Sequence, residues 1–258
     1  MLKFDAETTR LLEIAYQGGD ITRRRRLSFD TVDPMPGETI LDIGSGNGML
    51  TAELARAVGP TGRVIGVDPS EDMRKPAIER CGSFAWVEFK DGLADALPLG
   101  DESVDKAVSV QVFEYLDNIP AAVQDACRVL KRGGRLVVSD IHFDSLVWFT
   151  EDQARMDRMV AAWDDHFTER RVPAILPPLM RKTGLVVESV NSVTISDHVL
   201  KPDGLAIMMI RLMENYAIQT GLVSEDEATA WRAEQEQLAA DGRFFFSITQ
   251  FAVSARKP

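Results

Sequence analysis

Short apolar runs alternate with stretches of helical periodicity along the first half of the chain. Five runs have the length and composition of buried strands, and they cover residues 40–44, 63–68, 85–89, 104–110 and 134–140. Between them, three stretches carry apolar side chains at the spacing of amphipathic helices: residues 49–58, 71–81 and 121–130. Strands and helices alternating at these lengths predict right-handed crossovers, and therefore a parallel sheet covered by helices on both faces.

The pattern changes towards both ends of the chain. Residues 5–32 predict two helices that break at Gly18 and Gly19. Beyond residue 150, helices are predicted over 151–167, within PAILPPLMRKTG and as a pair over 203–240, and strands over 185–195 and 243–255. The whole pattern predicts a doubly wound, Rossmann-like α/β fold. Its seven-stranded, mostly parallel sheet would carry a helical cover inserted before the last strand.

Composition and charge argue against three kinds of partner or surroundings: nucleic acid, metal ions and membranes. The 258 residues carry a formal net charge of −11, which repels a phosphate backbone, so we do not expect nucleic acid as a partner. The basic run Arg23 to Arg26 is too short to reverse that expectation. Cys81 and Cys127 are too few for a disulfide framework or a thiolate zinc site, and no metal is predicted. Neither a signal peptide nor an apolar run of ~18 residues is evident, which predicts a cytoplasmic protein without a membrane span.

The strongest local signal is the turn DIGSGNG, from Asp42 to Gly48, between the first strand and the first helix of the sheet region. Nicotinamide-dependent dehydrogenases also have a glycine-rich turn at this position, so the turn alone is weak evidence. Its spacing, however, is GxGxG with Met49 following, and a carboxylate stands immediately before it. Asp42 would be poorly placed beside a pyrophosphate, but it suits a ligand that carries an ammonium and a sulfonium. The turn therefore favours S-adenosylmethionine over a dinucleotide.

A second acid follows the second strand. Asp68 stands twenty positions beyond Gly48, where an acid can accept both ribose hydroxyls of a nucleoside. The competing interpretation is that the acid caps the following helix, a role that suits Ser70 better.

Four segments in this order resemble the class I methyltransferases: ILDIGSGNGMLT, VIGVDPSEDM, GLADALPLGDESVD and RVLKRGGRLVVSD. The likeness is greatest to the small-molecule branch termed methyltransferase type 11, which includes the ubiquinone and menaquinone biosynthesis C-methyltransferases. It is strong over residues 37–140 and holds only in outline elsewhere. The resemblance implies S-adenosylmethionine as cofactor and methyl transfer to a small molecule.

The resemblance also implies cofactor contacts. The methionine part would be wrapped by Gly44, Ser45, Gly46 and Gly48, with its ammonium held by Asp42. Asp68 would bind the ribose, and Pro69 and Met73 would pack on the adenosyl group. The backbone of Gly92, Leu93 and Ala94 would meet the adenine edge. Relatives usually have an acidic or amide residue in the place of Leu93, so either Asp91 supplies that contact or Leu93 packs on the ring.

The stretch after the fourth strand would face the sulfonium. By the resemblance, Gln111 belongs to the segment whose backbone carbonyls face it, and the following Phe113, Glu114 and Tyr115 would border the methyl group. Aromatic rings there can stabilise a sulfonium by cation–π attraction, although Phe113 and Tyr115 fit a plain core equally well. Many relatives have a histidine near Glu114, and this chain does not.

A general base is needed only if the acceptor must lose a proton. The candidate catalytic residues are His142, Glu114 and Asp140, and the weaker ones are Asp144, His166 and His198. For each, a structural role is the competing interpretation. Tyr16 and the arginines at 23–26 are candidates to close over the cofactor. The methionines and aromatic residues of the later helices, Met156, Met159, Trp163, Met208, Met209, Met213 and Tyr216, either line a substrate pocket or form core.

The sequence therefore predicts a single methyltransferase domain over residues 1–258. It would comprise an N-terminal helical lid (1–33), a cofactor-binding core (34–140), substrate-side helices with the sixth strand (141–242) and a last strand (243–258). Two alternatives stay open: a non-catalytic binding or regulatory protein with this fold, and a nicotinamide-dependent oxidoreductase. Arsenite methylation is disfavoured because it needs clustered thiols. Nucleic-acid methylation is disfavoured because the net charge is negative and no NPPY-like motif follows the fourth strand. A homodimer is left open.

Overall fold

The structure is a computed structural model that describes residues 16–258. The first predicted helix lies almost entirely outside the described residues. The chain divides into two compact units, which we call the sheet unit (residues 25–142, 171–192 and 250–258) and the helical unit (residues 16–24, 143–170 and 193–249, as far as described). The predicted substrate-side segment 141–242 is therefore shared between them, since residues 171–192 belong to the sheet unit.

The strands follow the predicted pattern closely. They are β1 Thr39–Ile43, β2 Arg63–Val67, β3 Val87–Lys90, β4 Val104–Val110, β5 Leu130–Ile141, β6 Val147–Trp148, β7 Val186–Asp197 and β8 Phe246–Arg256. In the sheet unit, β3, β2, β1, β4 and β5 lie side by side and parallel, and β8 pairs antiparallel with β5. β7 also pairs with β8. The mostly parallel sheet is confirmed, while the two-residue β6, which pairs with the start of β8, is a strand that the sequence did not predict.

The helices begin and end near the predicted positions. They are α1 Gly19–Val32, α2 Met49–Val58, α3 Glu71–Cys81, α4 Ile119–Val129, α5 Gln153–Asp164, α6 Val172–Lys182, α7 Leu205–Thr220 and α8 Glu225–Ala240. Local sequence explains several starts, because side chains accept hydrogen bonds from the first-turn amides: Ser70 for α3, Asn118 for α4 and Ser224 for α8. A short 3-10 turn, Phe113–Tyr115, follows β4.

Apolar clusters lie on the two faces of the sheet unit. Ile40 and Leu41 are adjacent in β1, and both are fully buried, but they belong to different clusters. Leu41 packs in the cluster that includes Leu176 of α6, whereas Ile40 packs in the one that includes Leu54 of α2. Successive side chains of a strand point to opposite faces, so the sheet is covered on both sides as predicted.

The helical unit is built around α5, α7 and α8, with β6 and the start of β8 against them. Trp148 of β6 packs edge-on against Trp231 of α8, at 5.5 Å between ring centres, and against Phe246 at 4.8 Å. Asp20 accepts a hydrogen bond from the amide of Leu205 at 3.0 Å and so fastens the start of α7. Among residues 16–258, no helix is both long enough and apolar enough to cross a membrane.

Candidate cofactor site at the carboxyl edge of the sheet

The glycine turn connects the end of β1 to the start of α2. Gly44, Gly46 and Gly48 all have positive φ, of 69°, 52° and 77°. These left-handed conformations suit glycine because it has no Cβ. The amides of Gly44 and Ser45 donate to the carbonyl of Val67, at 2.7 and 3.1 Å, so the turn is fastened to the end of β2.

The three glycines differ in what surrounds them. A Cβ on Gly44 would lie 2.2 Å from Cγ2 of Val112, and one on Gly48 would lie 2.9 Å from Cβ of Ala77. A Cβ on Gly46 would meet no atom within 4 Å. Packing within the protein therefore requires the outer two glycines, whereas the backbone at Gly46 faces open space that a ligand can approach.

Asp68 lies beside the turn and is 8% exposed. One carboxylate oxygen accepts a hydrogen bond from the amide of Gly46 at 2.9 Å, and the other accepts one from the amide of Ser70 at 2.9 Å. An ionised carboxylate has about four acceptor positions, so both oxygens retain capacity for ligand hydroxyls. Ser70 caps α3, as expected, by accepting from the amide of Met73.

Asp42 is buried beneath the turn, where 2% of it is exposed. Its carboxylate accepts a 2.6 Å hydrogen bond from the hydroxyl of Thr51 in α2. Burial raises the pKa of Asp42 from 3.8 to about 6; the Thr51 hydrogen bond lowers it, and the negative charge of Asp68 raises it further. An ionised Asp42 therefore lacks compensating positive charge, which a ligand ammonium would supply.

Exposed apolar side chains lie in two segments of the chain: Pro69 and Met73 follow Asp68, and Leu93 follows β3. Met73 is 42% exposed and Leu93 is 55% exposed, and Pro69 is exposed as well. Asp91, the alternative adenine contact, forms an ion pair with Arg74 at 3.0 Å. Gly92 is closely packed, because a Cβ there would lie 2.7 Å from the ring of Pro98. Such exposed apolar groups are suited to the face of an aromatic ring.

The segment after β4 is held tightly. Gln111 has a φ of 55°, which is uncommon for a residue with a side chain, and its amide donates to the carbonyl of Ser139 at 2.9 Å. Its side-chain amide lies 3.4 Å from the carboxylate of Glu114. Phe113 is fully buried, so it fits the interpretation that its ring is part of the core. Tyr115 is 47% exposed.

The three candidate catalytic residues differ in accessibility. Asp140 is fully buried and Glu114 is 2% exposed, whereas His142 is partly exposed, with its ring edge-on to Phe251 at 6.3 Å. His142 thus lies just past the end of β5, at the carboxyl edge of the sheet unit, as predicted.

The weaker candidates Asp144 and His166 lie in the helical unit. Asp144 pairs with Arg170 at 3.3 Å. His166 packs among the rings of Trp163, Phe167 and Tyr216, and burial lowers its pKa to about 4. His198, also in the helical unit, is exposed.

The arginines of α1 have separate partners. Arg25 forms a 2.6 Å ion pair with Glu53 of α2 and approaches the sulfur of Met49 at 3.6 Å. Arg26 pairs with Asp30 on the same helix at 2.8 Å. Arg25 therefore fastens α1 to the helix that follows the glycine turn. An arginine contact to a cofactor carboxylate stays a prediction.

The methionine-rich face of the later helices is mostly core. Met156, Met159, Trp163, Met209, Met213 and Tyr216 are each at most 8% exposed. Within the helical unit there is a groove of about 620 Å³, whose lining includes Met156, Trp148, Asp164 and Arg170. Of these residues, Met156 lines a groove. The other buried ones fit the interpretation that they form core.

Sequence reasoning missed three side chains that hold the site together. Thr51 binds Asp42, and Arg74 donates to the carbonyl of Asp68 at 2.6 Å. Arg80 donates to the carbonyl of Asn47 in the glycine turn at 3.0 Å. The available signal for Thr51 was its place between Leu50 and Ala52, as a polar residue in an apolar first turn of α2. The two arginines resemble ordinary exposed helix charges until the structure is seen.

Comparisons with known proteins bear on the same region. Residues 41–138 match the family model described as a methyltransferase domain. The chain is 32% identical over 239 residues to an uncharacterized 37.1 kDa protein in transposon TN4556 of Streptomyces fradiae, covering 90% of this chain and 66% of that protein. It is 36% identical over 120 residues to the demethylmenaquinone methyltransferase of Desulfitobacterium hafniense, covering 45% of this chain and 47% of that enzyme.

A solved structure has the same fold. The geranyl diphosphate C-methyltransferase of Streptomyces coelicolor, in complex with Mg²⁺, geranyl diphosphate and S-adenosylhomocysteine, superposes with a TM-score of 0.56 at 17% identity, covering 92% of this chain and 79% of that one. At that identity the likeness shows the fold alone. The chain spans 66% and 47% of the lengths of the two curated relatives above.

Proposed function

Because this chain belongs to the class I S-adenosylmethionine-dependent methyltransferases, we propose that it transfers a methyl group from S-adenosylmethionine to a small-molecule acceptor. One observation carries the proposal: the glycine turn has open space beside the backbone of Gly46, and two carboxylates, Asp42 and Asp68, lie at the same turn. The buried hydroxyl of Ser45, which has no hydrogen-bond partner among residues 16–258, adds a polar group at the same turn. These residues fit the methionine and ribose parts of the cofactor.

Charge distinguishes this cofactor from a dinucleotide. Burial has already raised the pKa of Asp42 to about 6. The positive ammonium of S-adenosylmethionine would stabilise the ionised form, whereas a pyrophosphate would add negative charge beside two carboxylates. The nicotinamide-dependent oxidoreductase is therefore the less favoured alternative.

When bound, S-adenosylmethionine supplies a methyl group on a positively charged sulfur, which is an excellent leaving group. The task of the protein is then to align the acceptor with the methyl carbon and the sulfur, and orientation of this kind can contribute roughly 7–11 kcal/mol. In the proposed arrangement Asp68 orients the ribose, Asp42 orients the amino-acid end, and the fastened segment at Gln111 borders the sulfur.

Where the methyl acceptor must lose a proton, His142 is the proposed general base. His142 is partly exposed, whereas Glu114 and Asp140 are buried. We therefore propose that Glu114 and Asp140 hold neighbouring residues in position and do not contact the substrate. The neutral imidazole ring of a histidine has a nitrogen lone pair that can accept a proton. A small-molecule acceptor is preferred over a nucleic acid because the chain carries a net charge of −11.

The test is incubation of the purified protein with S-adenosylmethionine labelled in the methyl group and a fractionated metabolite extract. We expect label in a small-molecule fraction with the wild type and none with Asp68→Ala. Binding of the cofactor without any labelled product would favour the non-catalytic alternative. Tight binding of NADH with no binding of S-adenosylmethionine would favour the oxidoreductase.

A further inference from the structure

A row of buried hydrogen bonds crosses the carboxyl ends of β1, β4 and β5 and reaches the antiparallel strand β8 near its start. The hydroxyl of Ser109 in β4 donates to the carbonyl of Ile43, the last residue of β1, at 3.1 Å. Gln111, just past β4, donates its amide to the carbonyl of Ser139 in β5 at 2.9 Å. The side-chain amide of Gln250 in β8 donates to the hydroxyl of Ser139 at 2.7 Å. We call Ser109, Ser139, Gln250 and the residues that they bind the edge ladder.

The edge ladder continues into α1. The hydroxyl of Ser28 donates to the hydroxyl of Ser139 at 3.0 Å and lies 3.4 Å from the side-chain nitrogen of Gln250. The same helix is tied to α2 by the ion pair of Arg25 with Glu53. Helix α1 is therefore attached both to the strands at one end of the ladder and to the helix that follows the glycine turn.

The side chains of the edge ladder are buried. Ser28, Ser109 and Ser139 are fully buried, and Gln250 is 1% exposed. Their neighbours Val138 and Ala252 are also fully buried. Burial of a polar group carries a penalty unless its hydrogen bonds are made, and a satisfied network then specifies one geometry. Alanine or valine at these positions would give a simpler core, so the ladder fixes geometry more than it adds stability.

We propose that Gln250 is a positioning residue for the cofactor site. It fixes Ser139, and through the carbonyl of Ser139 it holds the left-handed turn at Gln111. Through Ser28 it also holds α1 against the sheet. This inference rests on the proposed function, since it assumes that the edge of the sheet between Gly44 and Gln111 binds S-adenosylmethionine.

The mechanism predicts that cofactor binding and attachment of α1 stabilise each other. Both depend on the same positions of the ends of β1, β4 and β5, so a ligand at the glycine turn must strengthen the attachment of α1 and be strengthened by it. The consequence for a variant is specific. Loss of the ladder should weaken binding and also reduce the protection that the ligand gives to α1.

The first experiment measures binding of S-adenosylhomocysteine by calorimetry to the wild type, Gln250→Ala, Ser28→Ala and Ser254→Ala. Ser254 is the matched control, because it lies four residues further along β8, is 2% exposed and pairs with Val137 away from the ladder. We expect Gln250→Ala to weaken binding by about tenfold, the effect of one lost buried hydrogen bond. Ser254→Ala should change it by less than about twofold.

The second experiment uses the four consecutive arginines, Arg23 to Arg26, as natural trypsin sites within α1. Cleavage there requires local opening of the helix. S-adenosylhomocysteine should slow the cleavage of the wild type and of Ser254→Ala, but have little effect on Ser28→Ala or Gln250→Ala. A purely structural role for the ladder would raise the cleavage rate of these variants without removing the protection given by the ligand.

The outcomes separate the two claims. If the wild type binds S-adenosylhomocysteine but Gln250→Ala and Ser28→Ala bind it as tightly as Ser254→Ala, the positioning role is refuted and the proposed function stands. If the wild type does not bind it at all, the proposed function itself fails. Should Gln250→Ala not fold, Ser139→Ala decides the matter in the same binding measurement, because it removes the hydroxyl that accepts from both Gln250 and Ser28 and keeps the backbone carbonyl that binds Gln111.

Discussion

Substitution of Asp42 by asparagine should make the free protein more stable and its cofactor binding weaker. The pKa of Asp42 is raised from 3.8 to about 6, chiefly by burial. Each pH unit between the folded and unfolded pKa values corresponds to about 1.4 kcal/mol, so ionisation of Asp42 costs the folded state about 3 kcal/mol above pH 6. Asparagine has nearly the same shape, can still accept the hydrogen bond from Thr51, and carries no charge.

The sign of the pH dependence follows from the raised pKa. The folded state holds the proton more tightly than the unfolded chain, so wild-type stability falls as the pH rises from about 4 to about 6 and is then level with respect to this group. Asp42→Asn lacks that loss. Urea unfolding at about pH 8 should therefore show the variant more stable by up to about 3 kcal/mol, and near pH 4 the difference should vanish.

Binding should change in the opposite direction. At about pH 8 the variant should bind S-adenosylhomocysteine at least about tenfold more weakly, because a charge-assisted contact to the ammonium is lost. Asp105→Asn is the matched control. Burial acts to raise the pKa of Asp105, but hydrogen bonds from Lys131 and from the amide of Thr39 outweigh it and lower the pKa, so this variant should lose stability at neutral pH. An Asp42→Asn protein that is less stable than the wild type at about pH 8, or that binds the ligand equally well, would refute the reasoning.

Three further substitutions test other parts of the structure. Asp68→Asn should weaken binding of S-adenosylhomocysteine by about tenfold or more in calorimetry, because the carboxylate charge is lost. It should also lower the free energy of unfolding by roughly 1–3 kcal/mol, because one of the two amides that Asp68 accepts from, Gly46 or Ser70, would face an NH2 group. Gly44→Ala should destabilise the protein by roughly 2–4 kcal/mol in urea unfolding, since the added Cβ would lie 2.2 Å from Val112 and the φ is 69°. Asp20→Ala should cost about 1–3 kcal/mol and expose the start of α7 to hydrogen exchange, because the amide of Leu205 loses its acceptor. An unchanged exchange rate at Leu205 would contradict that role.

Local signals explain why much of the fold was predictable. The bounds of α2, α3 and β4 match the prediction residue for residue. For the two helices, glycine, proline and a capping serine mark where each begins or ends. The two-residue β6 was missed because a run that short has no periodicity to detect.

The supports of the site could not be predicted in the same way. The glycine turn and Asp68 are recognisable because the motif is contiguous within one strand-to-helix connection. The edge ladder joins Ser28 to Gln250, which are 222 positions apart, and each is an ordinary polar residue in its own segment. The register of β8 against β5, which pairs Gln250 with Ile141, places Gln250 beside Ser139, and the packing of α1 brings Ser28 to both of them. Contacts that depend on long-range strand order carry no local signal.

A crystal structure of the protein with S-adenosylhomocysteine tests the central claim most directly. We predict the amino-acid end of the ligand over the backbone of Gly46 with its ammonium facing Asp42, and both ribose hydroxyls on the carboxylate of Asp68. Ligand density at any other place, or a glycine turn that stays empty at saturating ligand, would contradict the account.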